Sequence, residues 1–348
     1  MEKNSITIIQ PDDWHIHLRE GSITKLVIQD TYSVFGRALV MPNLDKPIFK
    51  PREAIEYRNF LNGLIPKSSN FSPIMTLYLN ENITRDDIKI ISSSENFGGI
   101  KYYPKGVTTN SSKGVTDYKS FFRIFELMEK YNVTLQIHGE VSDKSVDEFD
   151  REKVFIDKVL SDIVRQFPQL KIVLEHITSR HAVEFIKNAS SNLSATITAH
   201  HLLYERNDML SYGLKPHLYC KPILKRNSDM IALSNVALSG HKKFFLGSDS
   251  APHLIGDKQS DCGCAGVYSA KYLIEILVQF FDNNNSLSNF EKFVSKNGAN
   301  FYDVSFNKKK LFLERSRIKI PNFIGNEEMK IIPMMAGEFI NWTSKLVE

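Results

Sequence analysis

The sequence predicts an α/β fold in which eight parallel strands, each followed by a helix, close into a barrel that carries a small C-terminal appendage. Short apolar, β-branched runs alternate with amphipathic helical patterns along most of the 348 residues, and this alternation indicates a parallel sheet. About eight such units occur, the number that closes a (β/α)8 or TIM barrel. An open, doubly wound sheet is the competing architecture, but no G-x-G-x-x-G phosphate loop opens any of the helical patterns.

The apolar runs predict eight strands. The first combines two short runs, 6–9 and 15–18, on either side of a polar interruption. The other seven follow at intervals that leave room for a helix or a loop between them: 38–41, 73–79, 99–103, 134–138, 172–176, 194–198 and 243–247.

Helical periodicity occupies segments between these runs, and Pro51 suits the first turn of the earliest predicted helix. The predicted helices are 52–64, 118–131, 151–167, 180–188, 227–239 and 267–281. Later residues predict further helices and short extended pieces at 329–332 and 338–342. We therefore expect a barrel of residues 1–285 and an appendage of residues 286–348 packed on it.

Composition excludes several classes of protein. The formal net charge of +4 is too small and too evenly spread to indicate a nucleic-acid partner. The longest apolar stretch, 272–281, still contains Glu275 and Gln279, so no membrane span is expected. No secretory signal is visible, and three cysteines are too few for a disulfide framework, so a cytoplasmic location is expected.

Polar side chains stand where the predicted strands end. The carboxyl ends of barrel strands build the active site in this architecture. His15 and His17 are two residues apart, so both imidazoles point to the same side of a strand. The other strand-end residues are Asn43, Lys101, His138, His176 and Asp249, with His253 shortly after. Each of these residues alone has an ordinary structural explanation, but their joint placement at strand ends does not.

This set of side chains indicates a hydrolytic metal site. Imidazole and carboxylate suit Zn²⁺, and two metal ions can share a hydroxide and polarise the carbonyl that it attacks. Lys101 would be a poor ligand as a cation, but a carbamate formed with CO₂ would make it anionic. Asp249 could then take the proton of the hydroxide and pass it to the leaving nitrogen.

Longer motifs carry a specific resemblance that spans roughly residues 7 to 345. They are QPDDWHIHLREG (10–21), RALVMPNL (37–44), KYYP (101–104), TTNSSKGVT (108–116), IHGEV (137–141), FDREKVFI (149–156), LEHITS (174–179), ATIT (195–198), KPHLYCKPILKR (215–226), LGSDSAPH (246–253) and CGCAG (262–266). In these motifs the chain resembles the class II bacterial type of dihydroorotase, within the amidohydrolase superfamily.

The resemblance implies a binuclear zinc centre and a reaction. His15, His17 and Asp249 would bind one Zn²⁺, and His138 and His176 the second. Lys101, carboxylated on its side-chain nitrogen, would bridge both ions together with a hydroxide. The implied activity is the reversible cyclisation of N-carbamoyl-L-aspartate to L-dihydroorotate, a step of pyrimidine biosynthesis. The implied assembly is a homodimer.

The resemblance also implies substrate contacts. Arg19, Asn43 and His253 would hold the substrate carboxylate, and the guanidinium fork of Arg19 suits that group. Thr108 and Thr109 would reach the substrate from a mobile lid. The implied ring contacts are His17, His138, Ala265 and Lys221.

Some positions depart from the pattern expected of close relatives. Lys221 replaces a leucine, and Ala199-His200 replaces a Pro-Gln pair, which places His200 beside His201. We assign His200 and His201 no role in the binuclear centre, because its ligand set is already complete. Cys262 and Cys264 are interpreted as part of a small-residue turn rather than as metal ligands.

Two alternatives stay open at this point. The first is another cyclic amide hydrolase such as a hydantoinase, although Arg19 and the threonine loop favour an acidic substrate. The second is a catalytically inactive homologue that serves as a scaffold, against which the complete ligand set argues.

Overall fold

The computed structural model describes residues 4–348. Within that range the chain forms thirteen strands, and their order along the chain explains most of the architecture. They are β1 (Ser5–Ile9), β2 (Asp12–Ile16), β3 (Arg37–Val40), β4 (Ser72–Tyr78), β5 (Phe97–Tyr102), β6 (Leu135–His138), β7 (Ile172–Glu175), β8 (Leu193–Ile197), β9 (Phe244–Leu246), β10 (Lys310–Lys319), β11 (Ile324–Gly325), β12 (Lys330–Ile331) and β13 (Phe339–Val347).

Strands β2 to β9 form one eight-stranded parallel sheet in which neighbours in sequence are neighbours in space. The sheet curls until its two edges meet. Ile16 forms a parallel bridge with Ser250 just after β9, and the backbone N–H of Asp249 donates to the carbonyl of His15 at 2.8 Å. The predicted TIM barrel is therefore confirmed.

Helices follow most barrel strands and cover the outside of the sheet. They are α1 (Gly21–Tyr32), α2 (Pro51–Asn62), α3 (Arg85–Ser92), α4 (Phe122–Lys130), α5 (Arg151–Phe155), α6 (Ser161–Gln166), α7 (Arg180–Asn188), α8 (Ala199–Leu203), α9 (Arg206–Leu210), α10 (Asn227–Leu238), α11 (Ile255–Lys258), α12 (Leu273–Asn283), α13 (Leu287–Glu291) and α14 (Asn297–Phe301). Short π-helical segments, Ile156–Leu160 and Lys292–Lys296, connect α5 to α6 and α13 to α14.

A second sheet joins the two ends of the chain. Strands β1, β10 and β13 pair antiparallel in that order, with Thr7 opposite Phe312 and Phe312 opposite Lys345. The prediction that 6–9 and 15–18 form one barrel strand is therefore wrong. The run 6–9 pairs with a strand some 300 residues away, a partner that local periodicity does not specify.

Other boundaries also differ from prediction. Helices α1 and α3 were not predicted, and the predicted helix 151–167 is interrupted by the π-helical turn. The predicted helix 267–281 begins later, at Leu273, because Val267 instead forms a parallel bridge with Ser250. Of the two predicted extended pieces near the C-terminus, 329–332 is reduced to the two residues of β12, whereas 338–342 falls largely within the nine-residue β13. The 10-residue β10 was not predicted.

The amino ends of the barrel strands are sealed by the C-terminal helices. Trp14 of β2 stacks on Tyr302, just after α14, with ring centroids 4.4 Å apart. Gly298 lies so close to the Trp14 ring that an added Cβ would stand 2.1 Å from its Nε1 atom. This packing leaves the carboxyl ends of the strands as the accessible mouth of the barrel. Among residues 4–348, no helix has the length and apolar character needed to cross a membrane.

Candidate metal centre

Three of the predicted metal ligands form a tight cluster at the point where the barrel closes. His17 Nε2 lies 3.0 Å from Asp249 Oδ1, and His15 Nε2 lies 3.3 Å from the same oxygen. The ligand atoms of all three residues lie within 4.8 Å of one another. Because β2 ends beside the turn after β9, strand closure itself brings the histidine pair to the aspartate.

The other predicted ligands surround this cluster. The ring of His176 lies 4.9 Å from that of His15 and 4.8 Å from that of His138, measured between centroids. Lys101 is fully buried, and its Nζ has no hydrogen-bond partner among residues 4–348. The Nδ1 atom of His176 likewise lacks one within that range. Buried polar atoms are normally paired, so these two unpaired nitrogen atoms indicate a group that the protein chain itself does not supply.

Carboxylates behind the histidines fix the ring orientations, and the sequence analysis missed them. Glu175 Oε2 lies 2.8 Å from His15 Nδ1 and accepts a 2.6 Å hydrogen bond from the Thr196 hydroxyl. Glu140 Oε2 lies 2.7 Å from His138 Nε2. Such partners commonly orient metal-binding imidazoles and raise their basicity. For Glu140 the available signal was its position two residues after the strand-end His138, whereas no local spacing connects Glu175 to His15.

The backbone adopts an unusual conformation at three of the site residues. Arg19, His176 and Asp249 have φ values of 58°, 41° and 44°, in the left-handed region that residues other than glycine rarely occupy. Each stands just beyond a strand end, where the turn redirects its side chain. Conformations of this kind concentrate at functional sites, where the surrounding structure holds them in place.

Burial dominates the electrostatics of the cluster. It lowers the pKa of His17 to about 3 and those of His138 and His176 below their ordinary value, which favours neutral imidazoles. Burial and Lys101 act to lower the pKa of His15, but Glu175 and Asp249 outweigh them and raise it.

The two remaining ionisable groups of the set respond to burial in opposite ways. Burial acts to raise the pKa of Asp249, yet hydrogen bonds from His15 and His17 hold that pKa well below its ordinary value. Burial lowers the pKa of Lys101 to about 8. Neutral imidazoles at His17, His138 and His176 and an ionised carboxylate at Asp249 are donors that suit Zn²⁺.

A narrow cavity opens from this cluster to the mouth of the barrel. Most of the residues predicted to contact the substrate line it together with Asp249. The lining residues are His17, Arg19, Asn43, Thr108, Thr109, Lys221, Asp249, Ala251, Ala265 and Gly266.

Two of the residues predicted to hold a carboxylate are paired with each other beside the cavity. The Arg19 guanidinium donates to His253 Nε2 at 2.9 Å and to the carbonyl of Pro252 at 3.3 Å. His253 Nε2 also lies 3.1 Å from the carbonyl oxygen of Ala265. These contacts fix the position of the half-buried Arg19 fork, and a guanidinium is well suited to bind a carboxylate.

The loop with the two threonines is folded over the cavity. The Asn43 side-chain amide donates to the carbonyl of Thr109 at 3.0 Å, while the Asn110 amide donates to the Asn43 carbonyl at 3.2 Å. Asn43 Oδ1 is buried without a hydrogen-bond partner in residues 4–348. Asn43 thus connects the end of β3 to the loop and still offers an unused acceptor.

Lys221 also lines the cavity, but its ammonium group points to an acidic side chain and forms an ion pair with Glu148. Arg151 contacts the other oxygen of Glu148 at 2.7 Å. Of the two thiols in the small-residue turn, Cys262 is exposed and Cys264 half-buried, and both are free.

Comparisons with known proteins agree on one family. The sequence model of the amidohydrolase family matches residues 6–308. A dihydroorotase of Shewanella putrefaciens is 46% identical over 338 residues, covering 97% of this chain and 98% of that protein. A dihydroorotase of Vibrio campbellii is 47% identical over 341 residues, covering 98% and 99% respectively.

Solved structures extend the comparison. A dihydroorotase from Saccharomyces cerevisiae in complex with 5-fluoroorotic acid superposes with a TM-score of 0.91 at 35% identity, covering 99% of both chains. A dihydroorotase from Campylobacter jejuni superposes with a TM-score of 0.91 at 36% identity, covering 99% of this chain and 98% of that one. An L-hydantoinase from Arthrobacter aurescens superposes with a TM-score of 0.80 at 14% identity, covering 98% of this chain and 84% of that one. This likeness concerns the fold alone.

Proposed function

The chain belongs to the amidohydrolase family as a dihydroorotase, and on that premise we propose how its residues carry out the reaction. The enzyme interconverts L-dihydroorotate and N-carbamoyl-L-aspartate, a step of pyrimidine biosynthesis. The observation that carries the residue assignment is the convergence of His15, His17 and Asp249 within 4.8 Å at the inner end of a cavity lined by Arg19 and Asn43.

The family is metal-dependent, and the side chains at the barrel mouth fit two ions. His15, His17 and Asp249 would hold one Zn²⁺, and His138 and His176 the other. A carboxylated Lys101 would bridge them. The Lys101 amine is buried without a partner, and as an ammonium it would repel a metal cation, whereas its anionic carbamate would bind one. When bound, such ions lower the pKa of a coordinated water and polarise the amide carbonyl.

Asp249 is the residue that we assign to proton transfer. Its carboxylate is ionised in the ordinary pH range, since hydrogen bonds from His15 and His17 hold its pKa low. It borders the cavity in which the substrate ring would lie. In hydrolysis it takes a proton from the attacking oxygen and delivers it to the ring nitrogen that leaves, and in ring closure the transfer runs in reverse.

Substrate recognition rests on other residues in and beside the cavity. Arg19, with Asn43 and His253, binds the carboxylate that distinguishes dihydroorotate from a neutral ring. Thr108 and Thr109 approach from the loop, and Ala265 and Lys221 border the ring. His17 and His138 would contact the substrate from the metal side. Holding the reacting groups in this orientation is itself a major source of rate acceleration.

A hydantoinase is the alternative activity within the same superfamily. The hydantoinase structures resemble this chain at 14% identity or less, far below the dihydroorotases. The half-buried Arg19 also favours an anionic substrate, since a neutral ring would leave its charge without an anionic partner in the cavity.

The test is to measure hydrolysis of L-dihydroorotate and of a neutral hydantoin by the same metal-loaded protein. We expect turnover of L-dihydroorotate in both directions and at most marginal activity on the hydantoin. Comparable rates on both compounds would contradict the assignment of Arg19 as a carboxylate ligand.

The assembly and location are proposals of the same kind. The dihydroorotase resemblance supports a homodimer, which sedimentation equilibrium of the intact protein tests directly. Three free cysteines, one of them buried, support a reducing cytoplasm.

A further inference from the structure

A second group of metal-ligating side chains lies apart from the centre described above. His200 and His201 of α8 and Cys220 are all buried, and one ligand atom of each lies within 4.8 Å of the other two. The two imidazole rings are 4.5 Å apart between centroids. Cys220 Sγ lies 3.7 Å from His201 Nε2.

His200 is the unexplained member of this group. It is fully buried, and neither of its ring nitrogens has a hydrogen-bond partner among residues 4–348. A neutral imidazole carries one donor and one acceptor, and burying both unpaired costs free energy that structures normally avoid. Something outside the described protein atoms is therefore expected at one of these nitrogens.

The hydrogen bonds of His201 and Cys220 can rearrange so that both residues become able to bind a metal ion. His201 Nδ1 lies 2.8 Å from the hydroxyl of Thr198, and its Nε2 lies 3.0 Å from the carbonyl of Pro222. That carbonyl also accepts from the Cys220 thiol at 3.3 Å. If His201 carries its proton on Nδ1 instead, donating to Thr198, Nε2 becomes free to bind a cation, and the Pro222 oxygen stays close as a weak further ligand.

We propose that His200, His201 and Cys220 bind a thiophilic transition-metal ion, Zn²⁺ or Cu⁺, at a site separate from the binuclear centre. Two imidazoles, one thiolate and a nearby backbone carbonyl are a donor set that such ions prefer over Mg²⁺ or Ca²⁺. Metal–ligand bonds of about 2.0–2.3 Å require the three ligand atoms to close by roughly 1 Å. The Cys220 thiol loses one proton to solvent on binding, whereas His201 only exchanges one tautomer for the other.

The electrostatics agree with this geometry. Burial lowers the pKa of His200 to about 4 and that of His201 further, so both rings are neutral and able to act as ligands. Burial raises the pKa of Cys220 to about 12, so the free protein keeps a thiol there and the metal must displace its proton.

The experiment uses the full chain with its binuclear centre first loaded with zinc. Cys262 and Cys264 are replaced by serine, which leaves Cys220 as the one thiol of the three in the sequence. Co²⁺ is then added alone as a spectroscopic probe. The binuclear centre contains nitrogen and oxygen donors only, so a sulfur-to-cobalt charge-transfer band reports the second site even if Co²⁺ also exchanges into the first.

We expect the band to saturate at one Co²⁺ per chain and to disappear on addition of Zn²⁺ or Cu⁺. Cys220→Ser should abolish it, and His200→Gln should weaken Co²⁺ binding at least tenfold. His241→Gln, which changes a histidine outside the group, should leave it unchanged. Circular dichroism checks that each variant is folded.

Two results would overturn the proposal. One is the absence of a thiolate band in folded protein that retains Cys220. The other is a band of undiminished affinity in His200→Gln, which would mean that His200 is only a buried core side chain. Neither result bears on the dihydroorotase activity, so the outcome is independent of the proposed function.

Discussion

His15 Nδ1 lies 2.8 Å from Glu175 Oε2, so a carboxylate at the end of β7 orients the first histidine of β2 across the barrel interior. Both side chains are almost fully buried, and Thr196 donates a further hydrogen bond to the same carboxylate oxygen. Glu175 thereby fixes which nitrogen of His15 would face a bound metal ion. It is a positioning residue, since it acts on the site only through His15.

Replacing Glu175 by glutamine should therefore weaken metal binding without removing a ligand. Loss of such a partner typically reduces metal affinity about 10–100-fold. The measurement is the metal retained per chain after dialysis against graded concentrations of chelator. Glu184→Gln, on the exposed face of α7, is the matched control. Equal retention by both variants would contradict the role of Glu175.

Asp249→Asn should abolish most of the activity while leaving the protein folded. The amide cannot accept a proton, and loss of a positioned acid–base group typically costs about 10²–10⁴ in rate. Rates must be measured in both reaction directions, together with the metal content, because Asp249 is also a proposed ligand. Asp86→Asn is a control at an exposed carboxylate. A variant with full metal content and undiminished turnover would disprove the proton-transfer assignment.

Lys101 should be needed in its carboxylated form. Burial lowers the pKa of Lys101 to about 8, so more of its amine is neutral and able to react with CO₂ than in an exposed lysine. When Zn²⁺ is added back to the metal-free protein, we expect activity to return slowly in CO₂-depleted buffer and quickly with bicarbonate. Native mass spectrometry of the active protein should show the added mass of one CO₂.

The variant Lys101→Arg tests whether the positive charge at this position or the ability to form a carbamate is needed. Arginine keeps a cation at this position but forms no stable carbamate, so the variant should stay inactive whatever the bicarbonate concentration. Reactivation of the wild type at the same rate with and without CO₂ would contradict the bridge.

Much of this site follows from local sequence, for a physical reason. The carboxyl ends of parallel strands converge in a closed barrel, so a strand-end residue such as His15 or His176 can be placed at the mouth without knowing any contact. The structure brings the predicted histidine and aspartate ligands and most of the predicted substrate contacts together there. Their roles remain predictions until the variants above are made.

What the sequence analysis missed depends on contacts between distant segments. Glu175 is an ordinary end-of-strand acid until His15, 160 residues earlier, is placed against it. The pairing of β1 with β10 is another case, since its apolar run suits a barrel strand and an antiparallel edge equally well. Neither relation has a local periodicity or spacing that could reveal it.

Arg19→Lys should raise the KM for L-dihydroorotate. Lysine keeps the charge but lacks the planar fork that His253 and the Pro252 carbonyl hold in place. A lost hydrogen bond to a charged group is worth about 1.5–3 kcal/mol, which corresponds to roughly 10–100-fold in KM. Arg52→Lys, at a highly exposed arginine, is the control. An analogue without the carboxylate should be much less affected, and an equal effect on both compounds would contradict a carboxylate contact.

The loop over the cavity offers a final test, because Asn110 stabilises it both by its side-chain hydrogen bonds and by adopting a positive φ. Asn110 has a φ of 55°, and its amide donates to the Asn43 carbonyl and to Asp45 Oδ1 at 3.2 and 3.3 Å. Asn110→Gly removes the hydrogen bonds without adding backbone strain, because glycine adopts positive φ freely. Asn110→Ala removes them and adds a backbone cost of about 1 kcal/mol.

If the loop must lie over the substrate, kcat/KM should fall in the order wild type, Asn110→Gly, Asn110→Ala, and the rate of proteolytic cleavage within residues 105–116 should rise in the same order. Closure of such a loop excludes water and completes the site, so a population shifted towards open forms loses activity in proportion. Cleavage that rises while kcat/KM stays constant would show that the loop covers the cavity without taking part in the reaction.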